Sequence, residues 1–323
     1  MKPFDLDISD SGELLTSVPH HRETIYIGRN GNAVERVRVN HPQSPSSYIF
    51  KPLTNDSSMG KEVWVQQHLA PRLPEVLTPR IHLSSKANNP KLYWIIYEDM
   101  GVLTHSFDQD VLNEAAAAIP QWHLLVPDIV PDEFEGHMPL ASQIQADLLA
   151  KADIMRAYLL ANGFDSSDFD YIQREILRRP NIAGERVVCH GDYYPLNLAR
   201  EGGKLIILDW EYLHKNSVFW DLYCLMDITS PMYRRPVLEQ AVRVDILQAY
   251  ISARHAQHRS TTPSFINDYH LYCALYSLWL LLLIEQDLEQ IKFDKTALHA
   301  QKAETLGIFK RVFDYLREEF AVN

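Results

Sequence analysis

The chain has 323 residues, of which 46% are hydrophobic and 23% charged, as in an ordinary globular protein. This length fits two lobes better than one small core. A net charge of −11 argues against non-specific nucleic-acid binding. The opening sequence MKPFDLDISD lacks the basic and apolar regions of a secretory leader, so a cytoplasmic protein is expected.

The first hundred residues are predicted to form mainly strands. Residues 23–28 and 34–39 alternate polar and apolar side chains around the turn signal RNGN, and residues 47–52 form a third candidate. A helix that ends before a proline is predicted over residues 60–70. Residues 92–97 (LYWIIY) read as a buried strand. These elements predict a small sheet with one helix.

After Gly101 the pattern changes to helices. Helices are predicted over residues 109–118, 140–161, 166–178, and from about 235 to the end. Two short apolar runs, 187–189 and 205–208, predict a two-strand island within this half. Strands followed by helices indicate an α+β protein with two lobes. We expect an N-terminal nucleotide-binding lobe over 1–97, a hinge at 98–101 and a helical lobe over 102–323.

Membrane and metal-thiolate functions are not expected. The longest apolar stretch, residues 271–284, is short for a membrane span and runs into acidic residues, so a buried helix is predicted. Cys189, Cys224 and Cys273 are widely spaced and form no CxxC pair, which favours reduced thiols over a zinc site.

The strongest chemical signal is HGDYYPLN, in which His190, Asp192 and Asn197 have the spacing H-x-D-x-x-x-x-N. Asp209 follows the apolar run LIIL, twelve residues after Asn197. Phosphoryl transfer needs an aligned nucleophile and cations that neutralise the phosphate oxygens. Asp192 can orient or deprotonate a hydroxyl, and Asn197 and Asp209 offer the oxygen ligands that Mg²⁺ prefers. His190 is expected to support the loop.

These motifs resemble those of the aminoglycoside phosphotransferase and choline kinase family, relatives of the protein kinases. VVCHGDYYPLNLA is similar to the catalytic loop, and LIILDWEY to the metal-binding strand. FWDL is similar to the next segment, whose aspartate, here Asp221, braces the catalytic loop. The resemblance is dense over residues 187–227 and looser over 23–101. It implies a protein-kinase-like fold, ATP and Mg²⁺ as cofactors, and an alcohol as phosphoryl acceptor.

The resemblance also implies further site residues. Glu211 would lie near the metal or the substrate, although a surface glutamate or a salt-bridged glutamate is an equal alternative. The segment YEDMG would be the hinge, with the Glu98 carbonyl and the Met100 amide binding adenine.

The N-terminal half is expected to hold the nucleotide. Lys51 is the candidate for the α- and β-phosphates and Glu62 the candidate to pair with it, because a lysine in a closed site needs a counter-charge. A surface lysine and a solvated glutamate are the alternative. Residues 28–32 (GRNGN) lack G-x-G-x-x-G, so they are either a hairpin over the phosphates or a plain turn.

A small-molecule acceptor is expected because only eleven residues separate Asp209 from Asp221 and no A-P-E motif follows. Residues 1–97 carry a net charge of +2 and residues 98–323 a net charge of −13, which favours a cationic acceptor or is simply a solvated acidic surface. The aromatic residues at 210, 212, 220 and 223 could contact such a cation or belong to the core. A catalytically silent nucleotide-binding module and a kinase of macromolecules are the alternatives, and the oligomeric state stays open.

Overall fold

The computed structural model describes residues 9, 19–28, 30–40, 46–290 and 294–321. These residues divide into two compact units. The first contains the described residues through His105 together with Asn197–Tyr212, and the second contains Ser106–Leu196 and the described chain from Leu213 onward. The segment Asn197–Tyr212 therefore groups with the sheet, although it lies in the range expected for the helical lobe.

An antiparallel five-stranded sheet with the order β1-β2-β3-β5-β4 forms the first unit. Its strands are β1 (His20–Ile27), β2 (Ala33–Val39), β3 (Ser46–Pro52), β4 (Ile81–Ser84) and β5 (Trp94–Glu98). Alternate side chains of a strand face opposite sides of a sheet. Accordingly, Ile96 packs with Val37 and Phe50, whereas its neighbour Ile95 packs with Leu53 and Tyr93.

One helix follows β3 in this unit. It begins as α1 (Lys61–Trp64), continues as a π-helical stretch (Val65–Leu69) and ends in a 3₁₀ turn (Ala70–Arg72). The expected end before Pro71 is wrong by one short turn. Pro71 is tolerated because it lies in the first turn of the 3₁₀ segment, where its missing N–H leaves no bond unmade.

Both apolar runs form strands, as predicted, but the expectation of a two-strand island is wrong, because the two runs do not pair with each other. β6 (Arg186–Cys189) pairs with β9 (His214–Ser217) in the second unit, and β7 (Leu198–Glu201) pairs with β8 (Lys204–Ile207) in the first. The sequences of β7 and β9, LARE and HKNS, lack the alternation by which strands are recognised.

The second unit is mostly helical. Its helices are α2 (Gln109–Ala118), α3 (Pro120–His123), α4 (Ala141–Ala150), α5 (Ala152–Ala161), α6 (Ser166–Tyr171), α7 (Trp220–Met226), α8 (Gln240–Ala256), α9 (Phe265–Glu289) and α10 (Lys295–Ala321). α6 continues as a π-helical stretch, Ile172–Leu177. The single helix expected over 140–161 is two helices, because the backbone leaves the helical region at Lys151 (φ −104°, ψ 23°).

The α+β class predicted from the sequence is confirmed, with an antiparallel sheet in one unit and helices dominating the other. In the part of the chain that the structure describes, α9 alone is long and apolar enough to cross a membrane. Of its most apolar window, 61% is buried inside the protein, as in a core helix. The three cysteines are buried free thiols.

Candidate active site

Lys51 lies on β3 at the centre of a group of carboxylates in the first unit. Its Nζ atom is 2.9 Å from Glu62 Oε2, 2.6 Å from Asp209 Oδ1 and 3.4 Å from Glu211 Oε2. Glu62 comes from α1, and the other two acids come from the segment after β8. The structure thus brings together four residues that the sequence analysis had selected, and the contact between Lys51 and Asp209 joins positions 158 residues apart.

Burial and mutual repulsion shift the pKa values of the charged residues in this group. Burial alone would lower the pKa of Lys51, but Asp209, Glu62 and Glu211 together raise it well above its usual value. Burial raises the pKa of Glu211 to about 7, with a further contribution from Asp209 that Lys51 only partly offsets. The pKa of Glu62 is raised for the same reason. One ammonium therefore does not compensate three carboxylates.

The residual negative charge suits a divalent cation. Carboxylate oxygens of Glu62, Asp209 and Glu211 lie within 4.8 Å of one another, and carboxylates are hard ligands of the kind that Mg²⁺ takes. Asn197 belongs to the same unit, and its carbonyl accepts the N–H of Leu208 at 2.8 Å. This bond places the backbone of Asn197 beside the residue that precedes Asp209.

Asp209 has a left-handed backbone, with φ at 60°. Asp and Asn adopt this region more readily than most non-glycine residues, but it still costs energy. The conformation occurs two residues after β8, where the chain leaves the strand, and the carboxylate lies against Lys51.

In the second unit, Asp221 holds the loop that follows β6. Its Oδ2 accepts the backbone N–H of His190 at 2.9 Å, and its Oδ1 accepts that of Gly191 at 3.1 Å. The indole N–H of Trp122 donates to Oδ2 at 2.8 Å. Burial opposes ionisation of Asp221, but hydrogen bonds from His123 and Trp122 and the nearby His190 lower its pKa. Hydrogen-bond donors and the nearby histidines thus offset the cost of burying this carboxylate.

His123 connects this carboxylate to a longer chain of contacts. Its Nε2 lies 3.3 Å from Asp221, and its Nδ1 lies 3.1 Å from the hydroxyl of Tyr250. Burial lowers the pKa of His123 despite the adjacent Asp221, so the ring is neutral near pH 7. Nε2 then carries the proton and Nδ1 accepts from Tyr250. The Tyr250 oxygen in turn accepts from Arg254 at 3.0 Å.

Asp192 is more accessible to solvent than its neighbours in this loop. Asp192 is half-buried, whereas His190, Tyr193 and Tyr194 are buried. The N–H of Asp192 approaches Nδ1 of His190 at 3.3 Å, and the Trp220 indole donates to the Gly191 carbonyl at 2.9 Å. His190 therefore makes the contacts of a loop support. Gly191 has φ at 92°, a conformation that favours glycine.

The segment expected to be the hinge is braced through Asp99. Glu98 ends β5 and its N–H donates to the Arg80 carbonyl at 2.8 Å, while Met100 is half-buried. The Asp99 carboxylate accepts from Arg36 Nε at 2.8 Å and from the Gly101 N–H at 2.9 Å. The contacts of Glu98 and Met100 with adenine stay predictions.

Comparison with known families shows which family the chain belongs to. The profile described as "Phosphotransferase enzyme family" (APH) matches residues 29–259, a range that includes every candidate site residue. The chain belongs to this family. The resemblance recognised in the motifs is confirmed, and so is the prediction that the protein is a phosphotransferase.

Solved structures share the fold of this phosphotransferase. A macrolide 2′-phosphotransferase from Brachybacterium faecium aligns over 87% of this chain and 91% of its own, at 15% identity and a TM-score of 0.55. A choline kinase from Cryptosporidium parvum aligns over 92% and 90%, at 14% identity and a TM-score of 0.56. A spectinomycin phosphotransferase aligns over 93% of both chains, at 12% identity and a TM-score of 0.52. Sequence comparison with curated proteins gives no match.

Several residues of the site in this phosphotransferase carried no signal in the sequence. Thr54 donates to Glu211 Oε2 at 3.0 Å, Asp99 accepts from Arg36 in the segment expected to be the hinge, and His123 contacts Asp221. Each is an ordinary residue type whose partner lies far away in sequence. Among the four flanking aromatic residues, Trp210, Trp220 and Tyr223 are buried, which favours a core role for them.

Proposed function

We propose that the protein transfers the γ-phosphoryl group of ATP, with Mg²⁺, to a hydroxyl group of a small cationic molecule. The observation that carries this proposal is the contact of Lys51 with both Glu62 and Asp209, at 2.9 Å and 2.6 Å. A lysine surrounded by acids in this way is suited to hold phosphate oxygens next to a metal-binding carboxylate. Membership of the phosphotransferase family supports the same reaction.

Asp192 acts on the acceptor in this proposal. The acceptor oxygen forms a bond to the γ-phosphorus, the bond from that phosphorus to the β–γ bridging oxygen breaks, and ADP leaves. Asp192 orients the hydroxyl and takes its proton as the new bond forms. His190 and Asp221 act on this step only by fixing the loop, through the contacts of Asp221 with two successive backbone N–H groups.

Asp209 and Asn197 would hold Mg²⁺, and Glu211 supplies a further carboxylate near it. The bound ion neutralises negative charge on the phosphate oxygens. Lys51 contacts the α- and β-phosphates, and Glu62 keeps the lysine in place. The backbone of Glu98 and Met100 binds the adenine. These roles are consistent with the cluster of three carboxylates around one ammonium.

The acceptor class rests on charge and on the relatives. Residues 98–323 carry a net charge of −13, which favours a cation. The structural neighbours include a choline kinase and a spectinomycin phosphotransferase that was solved with ADP and spectinomycin. We therefore expect an amino-alcohol, choline-like or aminoglycoside-like acceptor. The three free cysteines agree with the cytoplasmic location expected from the sequence.

A coupled assay of ADP release tests the function. The purified protein is supplied with Mg·ATP and with aminoglycosides, choline, ethanolamine, other amino-alcohols and neutral sugars, and ³¹P NMR identifies any phosphate ester. Asp192→Asn should lower kcat by about 10²–10⁴-fold, because the base is lost, while nucleotide affinity stays near that of the wild type. Exposed Asp170 in the same unit provides the control, Asp170→Asn.

Two outcomes would contradict the proposal. Nucleotide binding without any phosphate ester across the panel would favour a catalytically silent module. Wild-type turnover in Asp192→Asn would remove Asp192 from the reaction.

A further inference from the structure

The turn between β1 and β2 is fastened to the residue that precedes Thr54. The side-chain amides of Asn30 and Asn32 both donate to the carbonyl oxygen of Leu53, at 2.7 Å and 2.9 Å. The Asn32 N–H also donates to the Asn30 side chain at 3.1 Å. One carbonyl thus receives two donors from one turn, which fixes the chain at Leu53. The residue at 29 lies outside the described residues.

Thr54 uses both branches of its side chain. Its hydroxyl donates to Glu211 Oε2 at 3.0 Å. Its methyl group faces Gly28, where a Cβ atom would lie only 2.8 Å from Thr54 Cγ2. A β-branched side chain has few accessible χ1 rotamers, so the two contacts are set together.

A second hydrogen bond joins the residue after Thr54 to the residue after Glu211. The Asn55 side-chain amide lies 3.2 Å from the hydroxyl of Tyr212, the neighbour of Glu211. Consecutive residues after β3 therefore hold consecutive residues after Asp209. Glu211 in turn lies 3.4 Å from Lys51.

We propose that Thr54 is a positioning residue that orients the Glu211 carboxylate for the magnesium–nucleotide complex, and that the β1–β2 turn braces Thr54 for this task. The inference rests on the proposed function. The turn expected to be either a phosphate-covering hairpin or a plain turn then has a third role, as a support of the metal-binding carboxylates.

Two substitutions separate the hydroxyl from the methyl group. Thr54→Val keeps the branched shape and removes the donor to Glu211, whereas Thr54→Ser keeps the donor and removes the methyl contact with Gly28. We expect Thr54→Val to weaken Mg·ADP binding about tenfold, because a hydrogen bond to a charged group is lost. Binding of metal-free ADP should change less than twofold, and Thr54→Ser should restore most of the Mg-dependent affinity.

The turn is tested by the double variant Asn30→Ala with Asn32→Ala. It should show the same signature as Thr54→Val, a loss confined to the Mg-dependent part of ADP affinity. Exposed Asn88 on the same unit provides the control, Asn88→Ala. Thermal unfolding of every variant establishes that it is folded at the assay temperature.

Isothermal titration with ADP, with and without Mg²⁺, distinguishes the outcomes. Equal losses in the presence and absence of Mg²⁺, or no loss in Thr54→Val, would overturn the role of Thr54 while leaving the proposed function intact. A wild-type protein that binds no Mg·ADP would overturn both. A loss in Thr54→Val that Thr54→Ser also shows would assign the effect to packing and refute the positioning role.

Discussion

Replacing Glu211 by Gln should stabilise the ligand-free protein at alkaline pH. Glu211 is buried beside Asp209, and its pKa is raised from 4.5 to about 7. A raised carboxyl pKa means that the folded state disfavours the ionised form, so stability is fully present below pH 4.5 and is lost as the pH rises toward 7. Glutamine resembles the protonated form in shape and can still accept the Thr54 hydroxyl.

The size of the expected stabilisation follows from the shift in the pKa of Glu211. A rise in this pKa from 4.5 to about 7 corresponds to roughly 3 kcal/mol, since each pKa unit is worth about 1.4 kcal/mol. We therefore expect Glu211→Gln to raise the free energy of unfolding by up to about 3 kcal/mol at pH 8, and by less than about 1 kcal/mol at pH 5. The same substitution should weaken Mg·ADP binding, because a carboxylate of the proposed magnesium site is replaced by an amide.

Urea denaturation followed by tryptophan fluorescence at pH 5, 6.5 and 8, without Mg²⁺ or nucleotide, measures the difference. Glu75→Gln, at an exposed position of the same unit, is the control and should leave the free energy of unfolding unchanged within about 0.5 kcal/mol. If Glu211→Gln is less stable than the wild type at pH 8, or if its advantage does not depend on pH, Glu211 is not held in an unfavourable charged state.

Three other changes test the site. Asp209→Asn keeps a residue that tolerates φ at 60°, so it should fold but lose Mg-dependent nucleotide affinity by more than about tenfold, as measured by titration calorimetry. Asp221→Asn replaces one acceptor oxygen with a donor among buried N–H groups, so it should lower the free energy of unfolding by about 3 kcal/mol. An unchanged melting temperature would contradict the bracing role of Asp221. Gly191→Ala should cost about 1–2 kcal/mol because φ is 92°, and it should reduce kcat more than nucleotide affinity.

Several charged residues could be selected from the sequence, and so could Asp221 as a support of the loop, whereas the supports Thr54 and His123 could not. Lys51, Glu62 and Asp209 stood out because buried charges need partners and because phosphoryl transfer needs carboxylates at particular spacings. Thr54 and His123 are common residues, and their partners lie 157 and 98 positions away in sequence. Only the folded chain brings such pairs together, so no local pattern records them.

The same distinction applies to the fold. β2 and β5 were recognisable from alternation or from a continuous apolar run, and α2 from its helical periodicity. β9 was missed because its four residues, HKNS, are polar although all are buried. Two features compensate for the burial of these polar residues: the pairing of β9 with β6, and hydrogen bonds such as that from the Asn216 amide to His214. The polarity of the sequence alone does not predict such partners.

The grouping of Asn197–Tyr212 with the sheet has a consequence for dissecting the protein. A fragment that stops at His105 would contain Lys51 and Glu62 but would lack Asp209 and Glu211, which are encoded more than a hundred residues later. Its lysine would keep a single acidic neighbour, and the strand pair β7–β8 would be missing. A gene cut after residue 105 should therefore give an N-terminal piece in which the acidic cluster around Lys51 is incomplete, whereas a fragment that keeps this cluster must also include Asn197–Tyr212.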